Sequence, residues 1–407
     1  MSNLDDFNLK AKKAKSKEGL SVDSISIKAY KAKTEERAYI DDLDSLPYDE
    51  KQTMLEAGID TTQKQRSGTF VQMDHSVIHA STLEKGLEVM SIKDALAKYD
   101  WLKDYWWKTI AVDNDKYTSQ AELELHNGYF LRALPGTKEI FPVQACLYLS
   151  IEDLKQNVHN IVMVEEDAEL HVITGCSVGS HVKSGLHIGV SEFYVKKNAK
   201  LSFTMIHNWA ENVKVRPRSY GIVEENGMFL SNYISLKPVS DLQMYPTVKL
   251  VGKNAIARLN SILVAQKGSN LDVGSRIILD AENSKGEVIS RTISKGGNIW
   301  ARGHLIGKAK GITAHLECNG LILDEEGSIR AIPELEAHLP DLRMSHEAAV
   351  GKIAQDQIEY LMARGLSEDE ATATIVRGFL DVDIKGLPPQ LNKQIKKIID
   401  IEGEKFL

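Results

Sequence analysis

The sequence predicts a mainly β protein whose centre is a parallel β-helix, and three features of residues 162–336 carry this prediction. A short turn signal recurs, a segment of alternating apolar and polar residues follows each turn, and no helical segment lies between them. The third residues of successive turns are 31, 28, 28 and 31 positions apart. Strands of this kind cannot bury a face alone, so they are expected to stack as the coils of a solenoid. The turns are residues 166–168, 197–199, 225–227, 253–255 and 284–286.

A second turn falls midway through some repeats, at residues 268–270, 296–298 and 325–327. Between turns, residues 256–262 show the alternation most clearly. An antiparallel β-sandwich also contains many short strands joined by Asn and Gly turns, and it stays open as the alternative. The fixed period favours the solenoid.

Composition limits the classes of function. The chain has 407 residues, of which 43% are hydrophobic, and this length suits two or three folding units. A formal charge of -7 and a pI near 6.0 argue against a general nucleic-acid binder. The first 17 residues lack the apolar core of a secretory signal, and the uncharged run 140–151 is shorter than a membrane span. We therefore expect a soluble, cytoplasmic protein with no membrane or nucleic-acid partner.

The three cysteines, Cys146, Cys176 and Cys318, are odd in number, widely separated and without a CxxC pair. This pattern fits neither a disulfide framework nor an isolated zinc finger. Reduced thiols are expected.

The N-terminal region, residues 1–127, is predicted to be helical and irregular. Its lysine-rich start is expected to be a solvated, mobile or helical arm. A helix is expected over residues 49–57, a strand over 68–73 and a helical segment over 91–105. Three tryptophans in and beside that last segment are expected to anchor a helix against a sheet; they are Trp101, Trp106 and Trp107.

The core, residues 128–340, carries the repeats, and residues 341–407 are predicted to form a helical domain. Ser345 is expected to cap a helix that ends at Gly365. Ser367 and Glu370 match a capping box for a second helix, and Pro388-Pro389 are expected to open a third. Such a domain could cap the solenoid, provide a docking surface, or both.

Two motif searches exclude functions. No GxxxxGK[ST] phosphate loop is present, so the chain is not expected to hydrolyse nucleotides itself. Residues 175–179 match the GxSxG nucleophile elbow, but that motif requires a strand, a sharp turn and a helix. Both flanks here read as strands, so the match is interpreted as accidental.

Two other segments carry residues that could bind metal. On a strand, Cys318 shares a face with Ala314 and Leu316, which is typical of a small buried hydrophobe. His346 and Glu347 are competent metal ligands, but they also suit a helix N-terminus. Spacing leaves both interpretations open.

Several stretches together resemble one family. They are residues 165–169 leading to Cys176, 207–209, 317–319, 346–360 and 364–366, and the similarity runs from Gly128 to the C-terminus. The chain resembles the SufB/SufD family of the SUF iron-sulfur cluster assembly machinery, and it is closer to the SufB scaffold branch.

The resemblance implies a right-handed parallel β-helix core flanked by N-terminal α/β and C-terminal α-helical domains. It further implies a scaffold rather than an enzyme, which takes sulfur from a donor, builds a transient, labile iron-sulfur cluster and passes it to apo-protein acceptors. A separate SufC-type ABC ATPase is expected to dock on the C-terminal domain.

By position, Cys176 matches the sulfur-accepting cysteine and Cys318 and Glu347 match the assembly residues of the scaffold branch. His346 matches a histidine implicated at the subunit interface. Thiolate is the ligand that iron-sulfur clusters prefer and imidazole can replace it, so Cys318, His346 and Glu347 form the expected cluster and metal site. Mixed ligands should hold a cluster weakly, which suits a scaffold.

The chain departs from the better-known scaffold members because it lacks their N-terminal cysteine cluster. A homodimer is expected in place of a heterodimer. The alternative is a structural partner subunit that docks the ATPase without holding a cluster. A β-helix carbohydrate lyase is a third class, but neither a carboxylate-lined cleft nor a secretion signal is visible.

Overall fold

The computed structural model describes residues 3–19 and 25–380, and it is built around a parallel β-solenoid of about eight turns. The predicted fold class is confirmed, with helices on both sides of the solenoid in the chain.

In the described part of the N-terminal region, four helices and three strands enclose the start of the solenoid. Three short 3₁₀ helices join them: Ile27–Ala29, Leu43–Ser45 and Asp100–Asp104. The helices are α1 (Asn3–Lys13), α2 (Tyr48–Glu56), α3 (Ile92–Lys98) and α4 (Lys116–Leu123), and the strands are β1 (Gly68–Met73), β2 (Ser76–Thr82) and β3 (Leu87–Ser91).

The solenoid strands follow one another along the chain. They are β4 (Tyr129–Ala133), β5 (Val143–Leu149), β6 (Leu154–Val164), β7 (Glu169–Val178), β8 (Ser184–Val195), β9 (Lys200–Asn208), β10 (Asn212–Val215), β11 (Arg218–Val223), β12 (Met228–Ser235), β13 (Asp241–Met244), β14 (Thr247–Leu250), β15 (Ile256–Gln266), β16 (Asn270–Leu279), β17 (Lys285–Lys295), β18 (Asn298–Gly307), β19 (Thr313–Ile322), β20 (Ser328–Ala337) and β21 (Arg343–Gly351).

These strands form two facing sheets. Sheet 1 has the order β2-β1-β5-β7-β9-β12-β15-β17-β19-β21, and sheet 2 contains β3, β4, β6, β8, β10, β11, β13, β14, β16, β18 and β20. The pairs β1–β2 and β3–β4 are antiparallel, and the described pairings among β4 to β21 are parallel. The parallel pairings rule out the antiparallel sandwich.

One corner of the solenoid is made by residues with left-handed backbone conformations. Their φ angles lie between 54° and 61°, a region that Asn and Asp tolerate better than most residues. Their amide side chains form a ladder: Asn198, Asn226 and Asn254 each donate from Nδ2 to Oδ1 of the preceding member at 2.9 Å. The members are Asp167, Asn198, Asn226, Asn254 and Asn283.

The last predicted turn was placed slightly too late in the sequence. The left-handed residue is Asn283, whereas the predicted triplet began at Ser284, and Lys285 already opens β17. Only the asparagine suits the positive φ angle, so the turn follows it.

The outer faces of the sheets are covered from both chain ends. Trp106 stacks on His159 of β6 with ring centroids 3.9 Å apart, and Trp107 Nε1 donates to Glu122 at 2.6 Å. The tryptophans therefore anchor helix to sheet as predicted. The lysine-rich arm is helical as α1, and its Ala11 is buried in the same cluster.

The C-terminal part of the chain departs from prediction at its start. Ser345 does not cap a helix, because it lies within strand β21, which pairs in parallel with β19. The last solenoid strand thus lies beyond the predicted boundary at residue 340. Hydrogen bonding along β19 outweighs the local capping signal.

Up to residue 380, where the description ends, two helices follow: α5 (Gln355–Met362) and α6 (Glu368–Leu380). The capping box of α6 is confirmed, since Glu370 N donates to Ser367 Oγ and Ser367 N donates to Glu370 Oε2. Val376 and Leu380 of α6 pack on the outer face of sheet 1. The predicted third helix at Pro388-Pro389 lies outside the described residues. In the part of the chain described, no helix has the length and apolar character to cross a membrane.

Candidate functional site

Cys176 lies on strand β7 with its side chain in the lumen between the two sheets. It is completely buried within the main core cluster. Burial, followed by the neighbouring Cys146, raises the pKa of the Cys176 thiol well above its usual value. At neutral pH this cysteine is therefore a protonated thiol.

The nucleophile-elbow match at residues 175–179 is not an elbow. Strand β7 continues through Val178, and Ser177 points outward, where its Oγ donates to the Thr53 carbonyl at 3.2 Å. The interpretation of this motif as accidental is confirmed.

Cys146 lies on the other face of sheet 1. It belongs to a cluster with Met54 and Ile59 beneath helix α2, separate from the lumen. It aligns with Gly175 on β7, and a Cβ at that glycine would lie 2.6 Å from the Ala57 carbonyl oxygen. Cys146 is therefore a packing residue of the N-terminal region.

His207 on strand β9 aligns with Cys176 on β7, so its side chain also lies in the lumen. The Tyr233 hydroxyl lies 2.6 Å from His207 Nδ1. Burial and the neighbouring His187 lower the pKa of His207 well below its usual value, and burial raises the pKa of Tyr233. The imidazole is therefore neutral, and its Nδ1 shares a hydrogen bond with the Tyr233 hydroxyl.

From Tyr233, hydroxyl side chains continue along the lumen to Cys318. Tyr233 aligns with Ser261 on β15, Ser261 with Ser290 on β17, and Ser290 with Cys318 on β19. Ser261 Oγ donates to Ser290 Oγ at 3.1 Å. The two lumenal cysteines are thus connected by a column of polar side chains, hereafter the polar column: His207, Tyr233, Ser261 and Ser290.

A cavity of about 40 Å³ lies beside the middle of the polar column. Tyr233 and Ser261 line it from sheet 1, and Ser219 and Ser275 belong to the opposite side. The rest of the lining is mainly apolar and includes Phe193, Phe203 and Phe229, so these hydroxyl groups are among the few polar contacts that a small species would find there.

Cys318 is buried one strand before the end of sheet 1. Only 2% of its surface is exposed, and burial, followed by the nearby Glu317, raises the pKa of its thiol to about 11. The expectation that Cys318 shares a face with Ala314 and Leu316 is confirmed, because all three belong to the lumenal core.

His346 and Glu347 lie on the terminal strand β21 and are exposed. His346 aligns with Leu316, which places it on the lumenal face beside Cys318. Glu347 aligns with Glu317 on the outer face, where Glu317 pairs with Arg291 at 2.7 Å. The structure thus brings Cys318 and His346 to one face and places Glu347 on the other. Within the described ranges, no group of three or more His, Cys, Asp or Glu residues could hold a metal ion.

Comparison with known proteins agrees with this architecture. The sequence profile described as SUF system FeS cluster assembly, SufBD core domain, matches residues 148–379. The chain belongs to the SufBD family. The matched range includes Cys176, Cys318 and His346, as well as the polar column.

Several relatives within the SufBD family are similar over most of their length. An iron-sulfur cluster assembly SufBD family protein of Archaeoglobus fulgidus is 54% identical over 358 residues, covering 88% of this chain and 96% of its own. A SufBD family protein of Methanothermobacter thermautotrophicus is 49% identical over 362 residues, covering 88% of each chain. The iron-sulfur cluster assembly protein SufB of Bacillus subtilis is 32% identical over 371 residues, covering 89% of this chain and 79% of its own.

The polar column was not predicted from the sequence. A signal was available, because stepping back from Cys318 by 28, 29 and 28 residues reaches Ser290, Ser261 and Tyr233. These steps match the spacing of the corner asparagines, so the repeat itself identifies the side chains that align with a cysteine.

Proposed function

We propose that this SufBD family protein is a scaffold that accepts sulfur at Cys176, passes it along the lumen and combines it with iron at Cys318. The polar column is the observation that carries this proposal. It connects two lumenal cysteines that are five strand-to-strand steps apart in sheet 1. At about 4.8 Å per step, the separation is about 24 Å.

The first step is a persulfide exchange. The sulfur of Cys176, once deprotonated, attacks the terminal sulfur of a donor persulfide, a new S–S bond forms, and the donor sulfur leaves as a thiol with the proton. His207 is the neutral base on the neighbouring strand, and Tyr233 fixes its orientation through the 2.6 Å contact. No net oxidation occurs.

Between the cysteines, the described polar column offers hydroxyls and no thiol, so sulfur cannot pass from one cysteine to another directly. A hydrosulfide ion can carry it. The ion attacks the terminal sulfur at Cys176 and releases that thiolate, and the resulting disulfide anion transfers one sulfur to Cys318 and regenerates hydrosulfide. The cavity bounded by Ser219, Ser261 and Ser275 lies on this route.

At Cys318 the sulfane sulfur meets ferrous iron. Two ferrous ions supply the two electrons that break the S–S bond and reduce this sulfur to sulfide, and they become ferric. Cys318 supplies a thiolate and His346, on the same face, an imidazole, and both are suitable ligands for a labile cluster. Because the pKa of Cys318 is about 11 and the thiol is buried, iron binding requires the terminal coil to open. Glu347 would join the site only after β21 rearranges, or from another copy of the chain.

A homodimer completes the site in this proposal. Among the described strands, β21 ends sheet 1. All of its residues except Met344 are exposed, as are half of those of β20, including Val350 at 41% and Leu335 at 37%. A strand edge of this kind is a template for pairing with a second chain. Two copies joined there would bring their Cys318 and His346 residues together.

In this proposal, an ABC-type ATPase of the SufC kind opens the terminal coil. It would dock on the C-terminal helical domain, which is tied to sheet 1 through α6. The scaffold itself would then be no enzyme. The described cysteines are all unpaired, which suits the reducing cytoplasm proposed as its location.

The test is anaerobic reconstitution of the protein with iron, sulfide and the ATPase partner, followed by absorption and Mössbauer spectroscopy. Wild type should show cluster signals that Cys318→Ala loses, while both proteins keep the same circular dichroism. Equal signals in the two proteins would place the cluster elsewhere. Absence of a signal in both would favour the alternative, a structural subunit that docks the ATPase without a cluster.

A further inference from the structure

Residues 35–56, which end with helix α2, form a strongly acidic surface beside the first solenoid coils, hereafter the acidic surface. They include eight acidic and two basic residues, so their formal charge of -6 is nearly the whole of the chain's net charge of -7. Both basic residues are already paired, Arg37 with the buried Asp74 at 3.3 Å and Lys51 with Asp44 at 3.4 Å. The surface therefore carries a large negative charge towards solvent. Its exposed acidic residues are Glu35, Glu36, Asp41, Asp42, Asp44 and Asp49.

The acidic surface also exposes apolar side chains. Tyr48 and Leu55 of α2 are 75% and 52% exposed, and Tyr39 of the preceding segment is 53% exposed. Tyr48 and Leu55 are seven residues apart, so they lie on one face of the helix. The opposite face packs on sheet 1 through the buried Met54. Exposed apolar groups rimmed by charges are typical of a protein–protein interface, where tyrosine is enriched among the residues that dominate binding.

The acidic surface lies on the other side of strand β7 from Cys176. The residue after the cysteine contacts α2, because Ser177 Oγ donates to the Thr53 carbonyl at 3.2 Å. The residue before it contacts the end of α2, since a Cβ at Gly175 would lie 2.6 Å from the Ala57 carbonyl oxygen. Successive side chains of a strand point to opposite faces, so only the thickness of β7 separates the cysteine from the helix.

Helix α2 also contacts the loop that follows β7, residues 179–183. In this loop Ser180 and His181 are exposed. Ser180 Oγ donates to Asp49 Oδ2 of α2 at 3.5 Å, and His181 Nε2 lies 2.9 Å from the Ser150 carbonyl oxygen. Loops held by a few exposed hydrogen bonds open locally at a much lower free energy than the core. A partner bound to α2 would therefore contact a loop that can open next to the cysteine.

We propose that the acidic surface is the docking site for a protein that carries a persulfide on a surface rich in lysine and arginine. This inference rests on the proposed role of Cys176 as sulfur acceptor. Because Cys176 is completely buried, a donor persulfide reaches it when the 179–183 loop opens, and the acidic surface holds the donor beside that loop. Complementary charge speeds and orients the encounter, and the exposed tyrosines and Leu55 supply apolar contact.

The charge of the surface selects this occupant over others. A second copy of the chain, docked here about a two-fold axis, would place the same acidic patch on both sides of the contact. Like charges in contact oppose binding, and the same repulsion applies to nucleic acids and to anionic membranes. A basic protein is the partner whose charge complements this surface.

The experiment uses the full-length protein and two persulfidated peptides of equal length as sulfur donors. Each peptide carries one cysteine persulfide beside a leucine, with lysines at the other positions of the basic peptide and glutamates at those of the acidic peptide. Persulfide that arrives at Cys176 is trapped by alkylation and quantified by peptide mass spectrometry over time. The test variant is Glu36→Gln/Asp41→Asn in the acidic surface. The matched control is Asp324→Asn/Asp341→Asn, which removes the same charge at exposed positions near the other end of the solenoid.

We expect the basic peptide to load wild type about ten times faster than the acidic peptide at low salt. The two rates should converge near 1 M salt, where the Debye length is about 3 Å. Glu36→Gln/Asp41→Asn should load from the basic peptide about fivefold more slowly, and Asp324→Asn/Asp341→Asn should load as wild type. Leu55→Ser, at an exposed position, should slow loading from both peptides. Sodium polysulfide needs no docking and should load all of these proteins equally, which separates docking from folding.

Equal rates from the two peptides in wild type, or wild-type rates in Glu36→Gln/Asp41→Asn, would overturn this inference and leave the proposed function standing. Dissociation of an oligomer in that variant, with unchanged transfer, would assign the surface to a second copy of the chain and would overturn it as well. The proposed function fails on a different result: if Cys176→Ala takes up as much sulfur from polysulfide as wild type, Cys176 is not the acceptor.

Discussion

Blocking the lumen at Ser261 tests whether sulfur travels through it. Ser261 lines the 40 Å³ cavity and donates to Ser290 at 3.1 Å. In Ser261→Leu, the larger side chain fills the cavity between the two cysteines. We expect sulfur to accumulate at Cys176 and to stop reaching Cys318.

The substitution should leave the protein folded. Filling a cavity recovers about 24 cal/mol per Å³, so a cavity of this size returns about 1 kcal/mol. Losing a neutral hydrogen bond costs about 1 kcal/mol, and any overfilling costs about 1–3 kcal/mol more. The free energy of unfolding should therefore change by no more than about 3 kcal/mol, which a core of this size tolerates.

The assay loads the protein with sodium polysulfide, traps persulfides by alkylation and compares the labels on Cys176 and Cys318 by peptide mass spectrometry. Ser261→Ala removes the hydroxyl without filling the cavity and should still transfer sulfur. Asn260→Leu adds the same side chain one residue earlier on the outer face, where Asn260 donates to Asn232 at 2.9 Å, and it should also transfer. Arrival of sulfur at Cys318 in Ser261→Leu at the wild-type rate would refute the lumenal route.

Two further predictions concern the corner ladder and the end of the solenoid. Asn226→Ala forces alanine into a left-handed conformation and removes two ladder hydrogen bonds, so it should lower the free energy of unfolding by about 2 kcal/mol in denaturant titrations. Asn226→Gly loses the same two hydrogen bonds but adopts the left-handed conformation without strain, so its loss should be smaller by about 1 kcal/mol; equal losses would show that the φ angle is unimportant. Val350→Glu places a charge on the exposed terminal coil and should convert the proposed dimer to monomer in analytical ultracentrifugation. Leu83→Glu, at an exposed position of the N-terminal region, should not, and a dimer in both variants would locate the interface elsewhere.

The solenoid could be predicted from sequence because its signals are local and repeated. The corner asparagines combine a tolerated left-handed conformation with a nearly constant spacing. The prediction that Ser345 caps a helix was wrong because it used only a local signal, and a local capping signal carries no information about pairing with a distant strand. Pairing of β21 with β19 decides its structure instead.

The candidate site could be predicted only in part. The side-chain alternation of Glu317 and Cys318 places them on opposite faces, and the repeat then transfers these faces to Glu347 and Ala348. The opposite wall of the lumenal cavity could not be found in this way, because Ser219 and Ser275 belong to sheet 2. Their distance from Ser261 depends on how far apart the two sheets pack, which no spacing within one sheet encodes.

Because the coils are stacked, the length of the lumen can change only by whole coils. Asn198, Asn226 and Asn254 are each bonded to the corner residue of the preceding coil. An insertion or deletion therefore preserves the ladder and the facing of every side chain only when it spans a full turn, such as the 28 residues from Asn226 to Asn254. Removing one turn would bring Cys176 and Cys318 nearer by about 4.8 Å and would leave both ends intact. In the proposed function sulfur enters at Cys176 and is consumed at Cys318. The distance between these two sites can therefore vary among such proteins only in steps of one coil.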